Sequence, residues 1–257
     1  SGDTRTLEYK WKSSITNSSS GFADIGSATG TTYDPGALTQ TTWFKRLSKV
    51  TCDGTWPVAG ESNVIQVMVR SEFTSGEIAT TGETICYNTS PATAISNTTP
   101  ASGGDGSINY SWRSSADGYA TDILSATGTT YTPAGPLTAT TSYRRYAKDG
   151  TCNTTPTVST GTWTVTIMPE FTTGAINTTG ETICYNGNPS QIGSATAASG
   201  GDNVISYQWQ SSTTSGITGF ADIGSATGST YDPPTGLTAT TWYRRMAKDG
   251  TCNATFT

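Results

Sequence analysis

Five cysteines are the residues of this chain whose type and spacing suggest chemistry: Cys52, Cys86, Cys152, Cys184 and Cys252. A thiol nucleophile is normally activated by a histidine, and a structural zinc site needs four ligands. The sequence contains no histidine at all, which also excludes a Ser-His-Asp triad. Acidic residues that recur once per repeat do not form the facing pair that glycoside hydrolysis requires. We therefore expect no enzyme activity, no metal and no cofactor.

An internal repeat of about one hundred residues accounts for the positions of the cysteines. Three short motifs recur in the same order. They are GETICYN at 82–88 and 180–186, Y-x-W-x-S-S at 9–14, 110–115 and 207–212, and SATG[TS]TY at 27–33, 125–131 and 225–231. The repeat divides the chain into a first module (1–70), a middle module (71–169) and a last module (170–257). We expect the first to lack its beginning and the last its end, as in an excerpt from a longer array.

The modules predict how the cysteines pair. Cys86 and Cys152 fall in the middle module, and Cys184 and Cys252 fall in the last. We therefore predict the disulfides Cys86–Cys152 and Cys184–Cys252, each worth about 4 kcal/mol in the chain-entropy model. Cys52 has the repeat position of Cys152, so its partner is expected upstream of Ser1. Disulfides in every module indicate an oxidising compartment outside the cytosol.

The elements that position these cysteines are predicted to be short β-strands. The chain is rich in Thr, Ser and Gly and has no extended helical periodicity. Strands are predicted at residues 108–113, 120–123, 129–132, 140–148 and 162–168, and the last of these shows the clearest alternation. Short strands, regular turns and a Cys…Trp…Cys order predict an all-β fold of tandem immunoglobulin-like β-sandwich domains.

Several residues are assigned to the core of these sandwiches. The tryptophan of each Y-x-W motif is expected to pack inside, and a tyrosine on the sixth strand stands where a tyrosine corner occurs. An arginine two residues later is inward-phased and is expected to form an ion pair with Asp122 or Asp222. The predicted structural residues are Trp11, Trp112, Trp209, Tyr143, Tyr243, Arg145 and Arg245.

Trp43 and Trp242 are the candidates for a ligand or interface site. Strand alternation points them outward, where exposed aromatics stack on sugars or pack on partner proteins. The alternative is that each lies over a neighbouring Lys or Arg stem, and this interpretation is favoured. The Gly-Gly-Asp loops at 103–105 and 200–202 are interpreted as ordinary turns, because one carboxylate per loop is a poor calcium site.

Charge and the joints between modules limit the partners. The net charge of −5 argues against nucleic acid, and no apolar segment predicts membrane insertion. Neither joint contains a Gly/Ser-rich or Pro-rich linker, which predicts closely coupled domains in an elongated rod.

The motifs together resemble the tandem Ig-like repeats of giant surface adhesins in gliding bacteria that use type IX secretion, the SprB-like gliding adhesins. The resemblance rests on T-I-C at 84–86, Y-x-W-x-S-S at 110–115, D-I-x-S-A-T at 122–127, T-Y-x-P at 130–133, L-T-A-T-T-x-Y-R-R at 137–145 and G-x-C at 150–152. It covers essentially the whole chain. It implies an extracellular repeat array at the cell surface, exported through the outer membrane and belonging to an anchored parent protein.

The leading hypothesis is therefore a non-catalytic stalk segment of an adhesin that serves surface attachment or gliding motility. The expected partners are neighbouring modules of the same chain, with lateral self-association into filaments left open. One alternative is that the modules themselves bind polysaccharide or solid surfaces multivalently. Another is an accessory region of a secreted polysaccharide-degrading enzyme.

Overall fold

The computed structural model describes residues 5–257, and that part of the chain is all-β. Two single-turn 3-10 helices, at Val58–Gly60 and Ser115–Asp117, interrupt the strands. Among the described residues, no helix combines the length and apolar character needed to cross a membrane. The all-β class predicted from the alternation and composition is confirmed.

The strands are short, and they are numbered in chain order. In the first module they are β1 (Leu7–Ser14), β2 (Ala23–Asp24), β3 (Thr42–Val50) and β4 (Ile65–Val67). In the middle module they are β5 (Glu77–Ile78), β6 (Glu83–Ile85), β7 (Asn97–Thr99), β8 (Asn109–Ser114), β9 (Thr141–Lys148), β10 (Thr157–Val158) and β11 (Trp163–Ile167). In the last module they are β12 (Ala175–Ile176), β13 (Ser194–Thr196), β14 (Ser206–Ser212), β15 (Ala221–Asp222) and β16 (Trp242–Lys248).

The described chain forms two compact units. Unit 1 contains residues 5–74 together with the loops 101–109 and 148–156 of the middle module. Unit 2 contains 75–100, 110–147 and 157–257, so most of the middle module and the whole last module belong to one unit. Unit 1 is built on a sheet in the order β2-β1-β3-β4, in which β1 and β3 pair antiparallel along their length.

The middle-module part of unit 2 shows how the core is enclosed. A five-stranded sheet runs β10-β9-β11-β6, with β8 also paired to β9, and β5 pairs with β7 in a second sheet. Strand β11 is central, because it pairs antiparallel with β9 and parallel with β6. Ile78 of the small sheet meets Trp112, Tyr143 and Val165 of the large sheet in one buried cluster, which gives a β-sandwich.

The predicted strands at 108–113, 140–148 and 162–168 are confirmed with slightly shifted bounds. Residues 120–123 are not a strand, although the corresponding residues of the other modules include β2 and β15. The reason is local: Asp117 accepts hydrogen bonds from the backbone N–H groups of Ala120 and Thr121, which removes them from a ladder. Residues 129–132 contribute only the isolated bridge of Tyr131 with Ile95.

The SATG[TS]TY motif shapes the aromatic core of every module. In the middle module the indole N–H of Trp112 donates to the carbonyl of Gly128 at 2.9 Å, and Tyr131 lies between Trp112 and Tyr143 at centroid distances of 5.6 and 5.8 Å. The same arrangement occurs at Trp11, Gly30, Tyr33 and Phe44 and at Trp209, Gly228, Tyr231 and Tyr243. The motif therefore supplies both the aromatic ring at the centre of the stack and the carbonyl that accepts from the indole, which is fully buried at Trp112 and Trp209 and partly buried at Trp11.

Candidate functional site

The joint between the middle and last modules, which lies within unit 2, is the candidate site. One side of it is the tail loop, residues 249–253, which follows β16. Asp249 is only 1% exposed, and its Oδ1 accepts hydrogen bonds from the backbone N–H groups of Thr251, Cys252 and Asn253 at 2.8, 2.6 and 3.0 Å. These bonds fix the backbone that carries Cys252.

The Gly-Gly-Asp loop at 200–202 holds the tail loop from the other side. Asp202 accepts hydrogen bonds from the N–H of Gly250 and the hydroxyl of Thr251. Gly201 has a φ of +56°, and a Cβ there would lie 1.8 Å from Oδ2 of Asp249. Only glycine permits this approach. Among the described residues no group of three or more acidic, Cys or His side chains is arranged to hold a metal ion.

The segment leading into the last module, residues 169–172, holds the joint together. Thr172 and Ser199 form an antiparallel bridge, and the N–H of Gly201 donates to the carbonyl of Pro169 at 2.8 Å. The Gly-Gly-Asp loop is thus tied both to the incoming chain and to the tail loop.

Unit 1 contains the same joint a second time. There Thr74 bridges Ser102, and Gly104 donates to the carbonyl of Ser71 at 2.9 Å. Asp149 caps the tail loop 149–153 with three backbone bonds of 2.9, 2.6 and 2.8 Å. A Cβ at Gly104 would lie 1.7 Å from its Oδ2. The joint is therefore a repeated structural feature of the family of modules in this chain.

The disulfide crosses this joint. Cys86 of the middle module is bonded to Cys252 of the last, while Cys52, Cys152 and Cys184 are free and exposed. This corrects the predicted pairs Cys86–Cys152 and Cys184–Cys252. The physical reason is that the loop 149–153 is held in unit 1 by Asp105 and Gly104, whereas Cys86 belongs to unit 2 beside Cys252. Met168 adds a sulfur contact to Cys252 at 3.4 Å.

Hydrogen bonds at the joint favour the ionised form of Asp202 and Asp249. The hydroxyl of Thr251 and the N–H groups of Val204 and Gly250 hold the pKa of Asp202 below its ordinary value. Burial opposes ionisation of Asp249, but the backbone donors of the tail loop outweigh it and lower the pKa. Each tail loop is thus stabilised by a charged cap at neutral pH.

Arg145 lies where it was predicted but without its predicted partner. Its guanidinium is fully buried and donates to the side chains of Ser159 and Asn97 and to four carbonyls, those of Thr129, Ser75, Glu77 and Thr99. The ring of Tyr110 covers it at 4.8 Å. Burial lowers its pKa. The expected ion pair with Asp122 is wrong, because Asp122 lies on the exposed side of β8 and pairs with Arg113 at 2.6 Å.

Arg245 occupies the matching position in the last module. It donates to Ser194 and to four carbonyls, those of Ser229, Thr173, Ala175 and Thr196, under the ring of Tyr207. Asp222 instead accepts from the side chain of Gln210. Both arginines therefore cross-link strands and loops through neutral carbonyls, which is a structural role.

The two candidate ligand tryptophans are placed differently. Trp242 is 37% exposed and lies against Gly216, whereas Trp43 is half-buried. The cationic stems expected under them cover other rings: Lys45 lies over Phe22 at 4.6 Å and Arg244 over Phe220 at 4.3 Å. Ser142 stands at this position in the middle module, where Arg144 covers Tyr119.

Two features of the joint were not predicted. Asp249 and Asp149 stood in the sequence as charged residues beside a turn, and nothing in their spacing indicated burial. The recurring D-G-T-C-N pattern is the signal that would have found them, because Asp and Asn favour turns in which a side chain caps its own backbone.

A search of curated proteins found no match to this chain. A sequence model of one protein family, described as a domain of unknown function (DUF8696), matches it three times. The matched residues are 1–71, 74–169 and 172–257, which together cover nearly the whole chain. The chain therefore belongs to this family and consists of three tandem copies of its domain.

Proposed function

We propose that this chain is a load-bearing stalk segment of a large extracellular adhesin, with no catalytic role of its own. The observation that carries the proposal is the Cys86–Cys252 bond, which joins two successive modules rather than closing one. Surface attachment or gliding motility is the process it would serve, and an outer-membrane-anchored parent protein is the setting. The family match and the all-β fold are compatible with this role.

A bond between modules has a mechanical effect that a bond within one module lacks. A chain pulled from both ends cannot lengthen between the two bonded residues, and here that span covers 166 residues. The span contains most of the middle-module core, the joint and nearly all of the last module. Force therefore passes along a covalent path that bypasses the non-covalent joint, which suits a repeat that transmits tension.

Single-molecule stretching tests this proposal. In the oxidised chain, the residues between Cys86 and Cys252 should contribute almost nothing to the extension. Reduction of the bond should add roughly 600 Å of contour length, from 166 residues at about 3.6 Å each. A matched Cys184→Ser variant should stretch like the parent chain. Equal contour lengths before and after reduction would remove the mechanical argument.

A second function is favoured by one specific observation, the exposed face of Trp242, whose ring lies against Gly216. Such a face fits the stacking of a sugar ring on an aromatic side chain. The test is binding of the chain to polysaccharides, agarose and glass, compared with a Trp242→Ala variant and a Ser142→Ala control. Saturable binding lost only with Trp242 would favour a multivalent binder over a stalk.

A further inference from the structure

The turn that holds Cys184 has the same backbone as the turn that holds Cys86. In the middle module, the N–H of Asn88 donates to Leu137 at 2.8 Å and Thr89 donates back to Cys86 at 3.2 Å. In the last module, Asn186 donates to Leu237 at 2.9 Å and Gly187 donates back to Cys184 at 2.9 Å. Asn88 and Asn186 share a left-handed backbone, with φ of 59° and 63°. The site around Cys184 is therefore formed in advance.

The two turns differ in what covers them. Cys86 is bonded and partly buried, and the neighbouring Tyr87 is also partly buried. Cys184 is exposed, and Tyr185, at the position of Tyr87, is 80% exposed. Residues 170–257 thus present a thiol and an aromatic ring on a surface whose equivalent is occupied in the middle module.

The occupant of the middle-module site identifies the partner by its chemistry. It is the tail loop 249–253 of the following module, held rigid by the carboxylate of Asp249. The same loop exists at 149–153. There the backbone N–H of Cys152 donates a hydrogen bond to Oδ1 of Asp149 at 2.6 Å, the same distance as between Cys252 and Asp249, and the Cys152 thiol is exposed. Each complete module therefore has one turn that receives a cysteine and one loop that presents a cysteine.

We propose that the surface around Cys184 and Tyr185 is a docking site for the tail loop of another copy of this module, closed by a disulfide to the cysteine of that loop. The inference concerns the joint itself and does not depend on an adhesive role. Its consequence is a staggered series in which each module is bonded to the next through its first cysteine and to the previous one through its second.

The bond forms by thiol–disulfide exchange with a small oxidised disulfide such as glutathione disulfide. The thiolate of Cys184 attacks one sulfur of that disulfide, giving a mixed disulfide and releasing one reduced thiol. The thiolate of the incoming tail loop then attacks the Cys184 sulfur and releases the second reduced thiol. Two cysteine thiols lose two protons and two electrons, and the reagent gains both.

The chain itself permits a first measurement. Cleavage after Lys, Arg and Glu places each cysteine in a separate peptide, so that pairs can be assigned by mass. The bond between modules predicts linked peptides of Cys86 with Cys252 and three free thiols at Cys52, Cys152 and Cys184. Pairing within modules would give one free thiol, at Cys52, and would overturn the proposal.

The decisive experiment adds a partner to the full chain. A second copy of residues 158–257 follows Thr257, which continues the repeat in register, and this added copy carries Cys184→Ser to keep the peptides distinct. Cys184 of the original last module should then change from a free thiol to a linked peptide with the added tail loop. The fraction of Cys184 labelled by iodoacetamide should fall at least tenfold.

Two outcomes would contradict the proposal. One is a Cys184 that stays fully reactive in the extended chain, and the other is a bond from Cys184 to Cys252 of its own module. The matched control is an extended chain whose added copy also carries Cys252→Ser, which should leave Cys184 reactive. Stretching of the unextended chain is unaffected by either result, so this failure is distinguishable from failure of the stalk proposal.

Discussion

The middle and last modules carry the same motifs, but residues 71–169 include a strand that residues 170–257 do not. Strand β11, Trp163–Ile167, pairs with β9 and β6 in the middle module, and residues 170–257 contain no counterpart. Correspondingly, residues 83–85 form a strand whereas 181–183 do not. Arg145 and Tyr143 are buried, while Arg245 and Tyr243 are only partly buried.

This difference shows which parts of the fold depend on local sequence and which on closure of the sheet. The stack of Trp209 on Tyr231 and the capped tail loop form in the last module without a β11 counterpart. The full burial of the arginine and the strand at residues 83–85 occur only in the module that contains β11. Four predictions test this comparison, from the largest expected effect to the smallest.

Removal of the Cys86–Cys252 disulfide is expected to have the largest effect. A Cys86→Ser/Cys252→Ser chain loses a cross-link spanning 166 residues, worth about 5 kcal/mol in the chain-entropy model. Cys184→Ser should leave thermal unfolding unchanged, because Cys184 has no bond in this chain. Differential scanning calorimetry of the oxidised proteins measures both. Equal destabilisation by the two changes would contradict the assigned pairing.

Loss of the buried arginine should come next. Arg145→Met leaves several buried carbonyls without a donor and is expected to cost at least about 3 kcal/mol. Arg245→Met should cost about half as much, since water reaches the more open site. Hydrogen exchange of the β9 and β16 peptides measures the two modules separately. Arg144→Met is the control: it loses a half-buried contact with the ring of Tyr119 and one hydrogen bond to Thr162, and it should cost about 1 kcal/mol. Equal losses at Arg145 and Arg245 would contradict the role assigned to closure.

The glycine against the buried carboxylate tests the joint. Gly201→Ala puts a Cβ 1.8 Å from Asp249 Oδ2 at a positive φ, and we expect a loss of about 2 kcal/mol. Gly104→Ala should behave alike in unit 1. The control is Gly224→Ala, where no atom lies within 4 Å, with an expected change within about 0.5 kcal/mol. Urea unfolding followed by exchange of the tail-loop peptides reports the effect, and a silent Gly201→Ala would mean that the joint is not packed as described.

The pH dependence should be the smallest effect. Because hydrogen bonds depress the pKa of Asp202 and Asp249, their stabilisation is fully present above the unfolded pKa, near 3.9. This stabilisation is lost as the pH falls through the pKa values of the two carboxyl groups in the folded state, which lie below the unfolded value. The protection of the tail-loop amides against hydrogen exchange should therefore be constant from pH 7 to about 5 and decline below about 4. Asp202→Asn should flatten that decline, and Asp222→Asn, outside the joint, should not.

The sequence predicted the sheets better than the joint. Alternating residues at 108–113, 140–148 and 162–168 located three strands. One face of each strand is buried, so apolar and polar residues alternate along the sequence. The core tryptophans follow from the same pattern. Asp117 shows its limit: a side chain that binds nearby N–H groups removed residues 120–123 from the predicted strand set.

The disulfide pairing failed for a reason particular to repeats. Cys152 and Cys252 have the same position in successive modules, so spacing alone cannot decide which of them pairs with Cys86. The packing decides, because the loop that carries Cys152 is held in unit 1 by Asp105 and Gly104, whereas Cys86 and Cys252 both belong to unit 2. The partners of Arg145 were missed similarly, because four neutral carbonyls from three segments leave no charge pattern in the sequence.

The position of Cys252 also orders events in time. Its partner, Cys86, lies 166 residues earlier in the chain, and the loop that carries Cys252 is held in place by Asp249 and Asp202 of the last module. The native bond is therefore expected to form only after the last module has folded. Until then the middle module is held together by its non-covalent core.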